Sequence, residues 1–67
     1  MKYPNIEAER IKKGISKDEF AAALGVSRRT LRNWQNGDTD LPLSKLIKIC
    51  GILGCRSDYL LGLEESA

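Results

Sequence analysis

The sequence lacks histidine, and among its 67 residues it has only two cysteines, Cys50 and Cys55. A structural zinc site normally takes four cysteine or histidine ligands, which this chain cannot supply. In a reducing compartment both thiols stay free. We expect Cys50 to be a core residue on a helix and Cys55 a small buried residue after it. The sequence therefore predicts no metal and no cofactor.

Long apolar runs are also missing. No stretch approaches the 18 residues typical of a membrane span, and the N-terminal MKYPNIEAER has no signal-peptide core. A glycine-rich phosphate loop and an evident pair of catalytic carboxylates are absent too. We therefore expect a cytoplasmic protein that is not an enzyme, with no membrane partner and no small-molecule ligand.

Charge is nearly balanced, with eleven Lys and Arg against nine Asp and Glu and a net charge of +2. The net charge says little about whether the protein binds nucleic acid, but the distribution of the charges along the chain is more informative. Three of the cations, Arg28, Arg29 and Arg32, lie within five residues. The length allows one domain with a small core, and a domain of this size is often stabilised by oligomerisation.

Caps and apolar spacing predict five helices and no strand. Asn5 and Ser27 are candidate N-caps, and Ser16 with Glu19 forms a capping box. Pro42 suits the first turn of the fourth helix. The predicted helices cover about residues 5–13, 17–24, 28–36, 42–53 and 57–61.

Apolar spacing also predicts which side of each helix faces the core. In the first helix these residues are Ile6 and Ile11. In the second they are Phe20, Ala21 and Leu24. In the fourth they are Leu43, Leu46, Ile47, Cys50 and Leu53.

The third helix has two distinct sides. At 100° per residue, its cationic and amide side chains fall within an arc of about 140°: Arg28, Arg29, Arg32, Asn33 and Asn36. Leu31 and Trp34 fall on the other side, so we expect Trp34 to be buried. A helix held by the protein on one side and polar on the other suits the DNA major groove.

Two segments carry a family resemblance: SKDEFAAALGVSRRTLRNWQNG and LPLSKLIKICGILGCRSDYLLG. Their order and spacing resemble the helix-turn-helix domains of lambdoid-phage repressors and Cro proteins, over roughly residues 5–63. The resemblance implies an all-α, lambda-repressor-like bundle of five helices. It also implies a transcriptional regulator that binds a double-stranded DNA operator, usually as a homodimer.

The resemblance further implies roles for individual residues. Arg28, Arg29 and Asn33 are expected to face base edges, while Arg32 serves either bases or phosphate. Phosphate contacts are expected from Lys17, Asn36 and Lys45. The alternatives are a solvated basic face for the arginines, a plain helix cap for Asn36 and a solvated charge for Lys45.

Three features depart from the family pattern, and one of them is Gly51, which interrupts the fourth helix. Members often pair an arginine of the first helix with a glutamate late in the third. Here Arg10 would meet Gln35 instead, and Glu19 is a second candidate partner for it. Asp38 and Asp40 stand in a loop that is often basic in the family, where they would repel phosphates.

A homodimer is expected through the C-terminal end of the domain, by residues Ile52, Tyr59, Leu61 and Leu63. The alternative is that Leu60 and Leu61 simply close the core. For function, the alternative is a protein-interaction module, such as an antitoxin or antirepressor on the same fold. The arginines of the third helix count against that alternative.

Overall fold

The chain folds as five helices, and the structure, a computed structural model, describes residues 1–63. The helices follow in chain order as α1 Pro4–Lys12, α2 Lys17–Leu24, α3 Arg28–Asn36, α4 Leu43–Leu53 and α5 Ser57–Leu61. Within the described residues there is no strand, and the all-α class is confirmed.

The start of α1 differs from the prediction. The helix begins at Pro4, and Tyr3 is the N-cap without a side-chain cap. Proline suits this first position because its missing N–H would have no partner there anyway. Asn5 is therefore not a cap: its Nδ2 donates to the carbonyl oxygen of Tyr59 at 2.6 Å and ties α1 to α5. The expected inward position of Ile11 is also wrong, because this side chain is 61% exposed.

The capping box at the start of α2 is confirmed. The Glu19 amide donates to Ser16 Oγ at 3.0 Å, and the Ser16 amide donates to Glu19 Oε1 at 2.8 Å. Gly25 ends the helix at φ +70°, in the left-handed region that glycine adopts readily. Both ends of α2 are thus fixed by local chemistry.

The inward face of α4 was predicted only in part. Leu46 and Leu53 are buried, but Leu43 and Ile47 are 70% and 62% exposed. Ile49, which the prediction left out, is buried instead. The three buried side chains lie within about 60° of one another, and Ile47 lies about 100° outside that arc. Pro42 precedes the helix as its N-cap and is not part of its first turn.

The core lies where all five helices meet. Its buried apolar side chains are Ile6, Phe20, Leu24, Trp34, Ile49, Leu53 and Leu60. Cys50 and Cys55 are free thiols, each half-buried against this cluster, so the expected burial of Cys55 is only partial. Burial and a neighbouring Glu9 carboxylate raise the pKa of the Cys55 thiol.

Arg10 makes a different ion pair from the expected one. Its Nε and Nη2 donate to the two carboxylate oxygens of Glu7, at 3.0 and 2.8 Å, and its Nη1 donates to the carbonyl of Ile15. Arg10 is buried, and the Glu7 side chain is only 23% exposed. The expected contacts of Arg10 with Gln35 and with Glu19 are therefore wrong. The hydrogen bond from Arg10 lowers the pKa of Glu7 below its ordinary value of 4.5.

This ion pair predicts acid sensitivity. The folded state binds a proton at Glu7 less readily than the unfolded chain, so the pair's contribution is present above about pH 4.5 and is lost as pH falls through the lower folded-state pKa. At pH 6, Glu7→Gln should be less stable than the wild type. Between pH 6 and 3, it should lose less stability than the wild type does. Urea unfolding across this range measures both effects. If Glu7→Gln loses as much stability as the wild type between pH 6 and 3, the prediction is contradicted.

Candidate nucleic-acid interface

The exposed side of α3 carries a compact polar stripe. Arg28, Arg29, Arg32 and Asn36 are exposed, and Asn33 at the edge of the stripe is half-buried. Trp34 lies on the opposite side and is 5% exposed, so its predicted burial is confirmed. We call the five polar residues the α3 stripe. Three guanidinium groups and two amides thus project from a helix anchored to the core on its other side.

Both ends of α3 are fixed by the sequence around it. At the start, the Thr30 amide donates to Ser27 Oγ at 3.2 Å, which makes Ser27 the expected N-cap. At the end, Gly37 adopts φ +81°, and the Asp38 amide donates to the carbonyl of Asn33 at 2.9 Å. A helix of nine residues with both ends fixed presents its side chains in a defined register.

The turn between α2 and α3 is tight. The Val26 amide donates to the carbonyl of Ala21 at 3.0 Å, across the left-handed Gly25. Ala21 is buried, which is consistent with a small side chain where two helices approach closely. Lys17 is exposed at the start of α2, and nearby Asp18 Oδ1 lies 3.4 Å from Arg28 Nε. This contact places the start of α2 beside the start of α3.

Lys45 has an intramolecular partner. Its Nζ donates to the carbonyl oxygen of Leu24 at 2.9 Å, at the C-terminal end of α2. A cation is favoured there because the last carbonyls of a helix are unpaired and carry partial negative charge. The ammonium group has two further N–H bonds, so a phosphate contact would have to share it with this cap.

The four residues predicted for the dimer interface lie in different environments. Ile52 and Tyr59 are half-buried and pack against the core. Tyr59 also donates its hydroxyl to Glu9 Oε2 at 3.1 Å. Leu61 is half-buried, and Leu63 is 75% exposed. Of the four, Leu63 is the most accessible to a partner.

The contacts of Gln35 were not predictable from sequence patterns. Its Nε2 donates to the carbonyl of Tyr3 at 3.0 Å, and its Oε1 accepts from the Tyr3 amide at 2.8 Å. The partners are 32 positions apart, and no periodicity or motif connects them. The Arg10 and Glu7 pair, by contrast, has an ordinary helical spacing of three residues that could have revealed it.

A comparison with protein-family models identifies the family of this chain. Residues 6–60 match the family model described as helix-turn-helix. The chain belongs to the helix-turn-helix family. The match confirms the resemblance to the repressor and Cro type within it.

Two individual proteins extend this finding. A protein of Archaeoglobus fulgidus, named as an HTH-type transcriptional regulatory protein, is 40% identical over 57 residues; the match covers 78% of this chain and 18% of that protein. A crystal structure of the hypothetical transcription factor NHTF from Neisseria superposes with a TM-score of 0.74 at 28% identity, covering 85% of this chain and 64% of that one. The chain spans about a fifth of the first relative's length. Both matched proteins are named for transcription, one as a transcriptional regulatory protein and the other as a transcription factor.

Two further features are absent from residues 1–63. No helix there has the length and apolar character needed to cross a membrane. That part of the chain also contains no group of three or more histidine, cysteine or acidic side chains arranged to hold a metal ion.

Proposed function

We propose that this helix-turn-helix domain binds a specific operator, as a phage-type repressor or Cro-like regulator, with α3 in the major groove. The observation that carries the proposal is the α3 stripe, exposed opposite a buried Trp34. The major groove admits a helix and presents a different set of donors and acceptors for each base pair. Occupation of the operator would regulate transcription without catalysis.

Each polar group of the stripe has a role that its chemistry suits. An arginine can donate two hydrogen bonds to guanine O6 and N7, and an asparagine can bond adenine N6 and N7. We assign Arg28, Arg29 and Asn33 to base edges, and Arg32 to bases or phosphate. The exposed side chains of Lys17 and Asn36 would contact phosphates at the two ends of the stripe. Lys45 is a weaker candidate, because Leu24 already engages its ammonium group.

We infer that two copies bind each operator. One helix in one groove reads only a few base pairs, which gives limited specificity. A twofold dimer would place two copies of α3 about 34 Å apart, which is one turn of DNA. The proposed surface is the C-terminal end of the domain, where Leu63 is exposed and Leu61 half-buried.

Selection of bound sites from random DNA tests the proposal. We expect a near-palindromic site with half-sites about 10 base pairs apart. Sedimentation of the complex should give two chains per site, and affinity should fall steeply as salt rises, because phosphate contacts release counterions. One chain bound tightly to a non-repeated site would overturn the dimer. Failure to enrich any sequence, or binding that salt does not weaken, would overturn operator recognition and favour the protein-interaction module.

A further inference from the structure

The N-terminal strap, residues 1–3, is held against the end of α3 by three hydrogen bonds. Two of them join the Gln35 side-chain amide to the Tyr3 backbone. In the third, the Lys2 amide donates to the Gln35 carbonyl at 2.6 Å. Gln35 thus uses its side-chain donor, its side-chain acceptor and its main-chain carbonyl on one short segment.

The strap runs beside the α3 stripe. At 100° per residue, Gln35 lies about 60° from Arg32 and about 100° from Asn36 around the helix. Met1 and Tyr3 line the same surface groove as Arg29 and Arg32. A segment held at Gln35 therefore borders the side of α3 that is proposed to face DNA.

Lys2 is the cation that this arrangement brings to the end of α3. It is exposed, and its Cδ lies 3.8 Å from the position that a Cβ on Gly37 would take. Its Nζ lies 5.6 Å from the centre of the Tyr3 ring, a distance typical of a cation–π contact. Lys17 stands near the start of α3 and Lys2 at its end, so one lysine lies at each end of the stripe.

We propose that the strap is part of the DNA interface. Lys2 contacts a phosphate beside the C-terminal end of α3, and Gln35 is the positioning residue that holds the strap in place. A lysine provides a point charge, so this contact adds affinity on every DNA sequence and reads no base. The inference rests on the proposed function, since it adds one contact to the same bound complex.

Salt dependence of binding tests the role of Lys2. Each phosphate contact contributes about 0.9 to the slope of log K against log salt. Lys2→Ala should reduce that slope by about this amount, so the loss of affinity between 50 and 200 mM salt becomes about 3.5-fold smaller. Binding should weaken equally on the selected site and on random DNA. Lys2→Arg should keep the slope, and so should Lys13→Ala, the control for removing an exposed lysine elsewhere.

A double-mutant cycle tests the role of Gln35. If the Gln35 side chain positions Lys2, then Lys2→Ala should change the slope little once Gln35→Ala has removed the two side-chain hydrogen bonds to the strap. A purely structural role for Gln35 would lower the melting temperature but leave the effect of Lys2→Ala intact. If Gln35→Ala does not fold, the single Lys2 variants still decide the phosphate contact.

The outcomes separate the two proposals. If the wild-type domain shows no salt-dependent DNA binding, both are overturned. If the wild type binds but Lys2→Ala keeps the slope of Lys13→Ala, only the strap contact is overturned. Additive effects of Lys2→Ala and Gln35→Ala on the slope would overturn the positioning role alone.

Discussion

Replacing Trp34 with alanine should lower the free energy of unfolding by about 3–5 kcal/mol, the usual cost of truncating a large buried aromatic. Trp34 is 5% exposed and belongs to the buried cluster that fixes the back of α3. A domain of this size has a total stability of roughly 3–10 kcal/mol, at 0.05–0.15 kcal/mol per residue. At the lower end of that range the variant would be largely unfolded, and DNA binding should fall with the folded fraction. Urea unfolding followed by circular dichroism measures the loss.

A second apolar truncation serves as the matched control. Ile47→Ala also removes a large apolar side chain, but Ile47 is 62% exposed and should change stability by about 0.5 kcal/mol or less. If Trp34→Ala has the same melting temperature as the wild type, Trp34 does not anchor α3 to the core. If Ile47→Ala costs as much as Trp34→Ala, the outer side of α4 is covered in solution.

Sequence patterns predicted correctly those parts of the fold that depend on residues close together in the chain. The Ser16 and Glu19 capping box and the Ser27 cap each depend on residues three positions apart, and each is present in the structure. Asn5 has equally good capping chemistry, but its amide bonds to Tyr59, 54 positions away. Which of two partners a polar side chain takes depends on the tertiary fold, and a single sequence does not encode that choice locally.

The two faces of α4 show the same limit for apolar residues. Leu43, Ile47 and Ile49 all fit some helical stripe, because a helix this rich in apolar residues permits more than one inward direction. The packing of the other helices selects the direction that buries Ile49. The polar stripe of α3 has no such ambiguity, because its apolar residues lie on one side only.

The candidate interface was also predictable only where it depends on spacing within one helix. Helical spacing placed the stripe opposite Trp34, and the structure leaves its arginines exposed. Spacing did not predict the cap that Lys45 makes on Leu24 or the clamp between Gln35 and Tyr3, since both join segments far apart in sequence. A sequence can therefore indicate which side of α3 is polar and exposed, but not which neighbouring segments border that side.

The base-reading role of the stripe leads to a large expected effect on binding. Arg29→Ala and Asn33→Ala should each cost about 1–3 kcal/mol on the selected site, which is about 5- to 150-fold in affinity. Each should also relax the preference at one base position, because the lost group no longer distinguishes that base pair. Titration of each variant on the selected site and on single-base variants of it measures both effects.

Lys17→Ala is the comparison that distinguishes base recognition from electrostatic attraction to phosphates. A phosphate contact carries no sequence information, so this variant should weaken binding to selected and random DNA by the same factor. Arg29→Ala removes one positive charge as well, so a purely electrostatic role would make it behave like Lys17→Ala. Equal losses on selected and random DNA for both Arg29→Ala and Asn33→Ala would therefore overturn the assignment of these residues to bases. A larger loss on the selected site than on random DNA, with a relaxed preference at one position, is the result expected of a side chain that contacts a base edge.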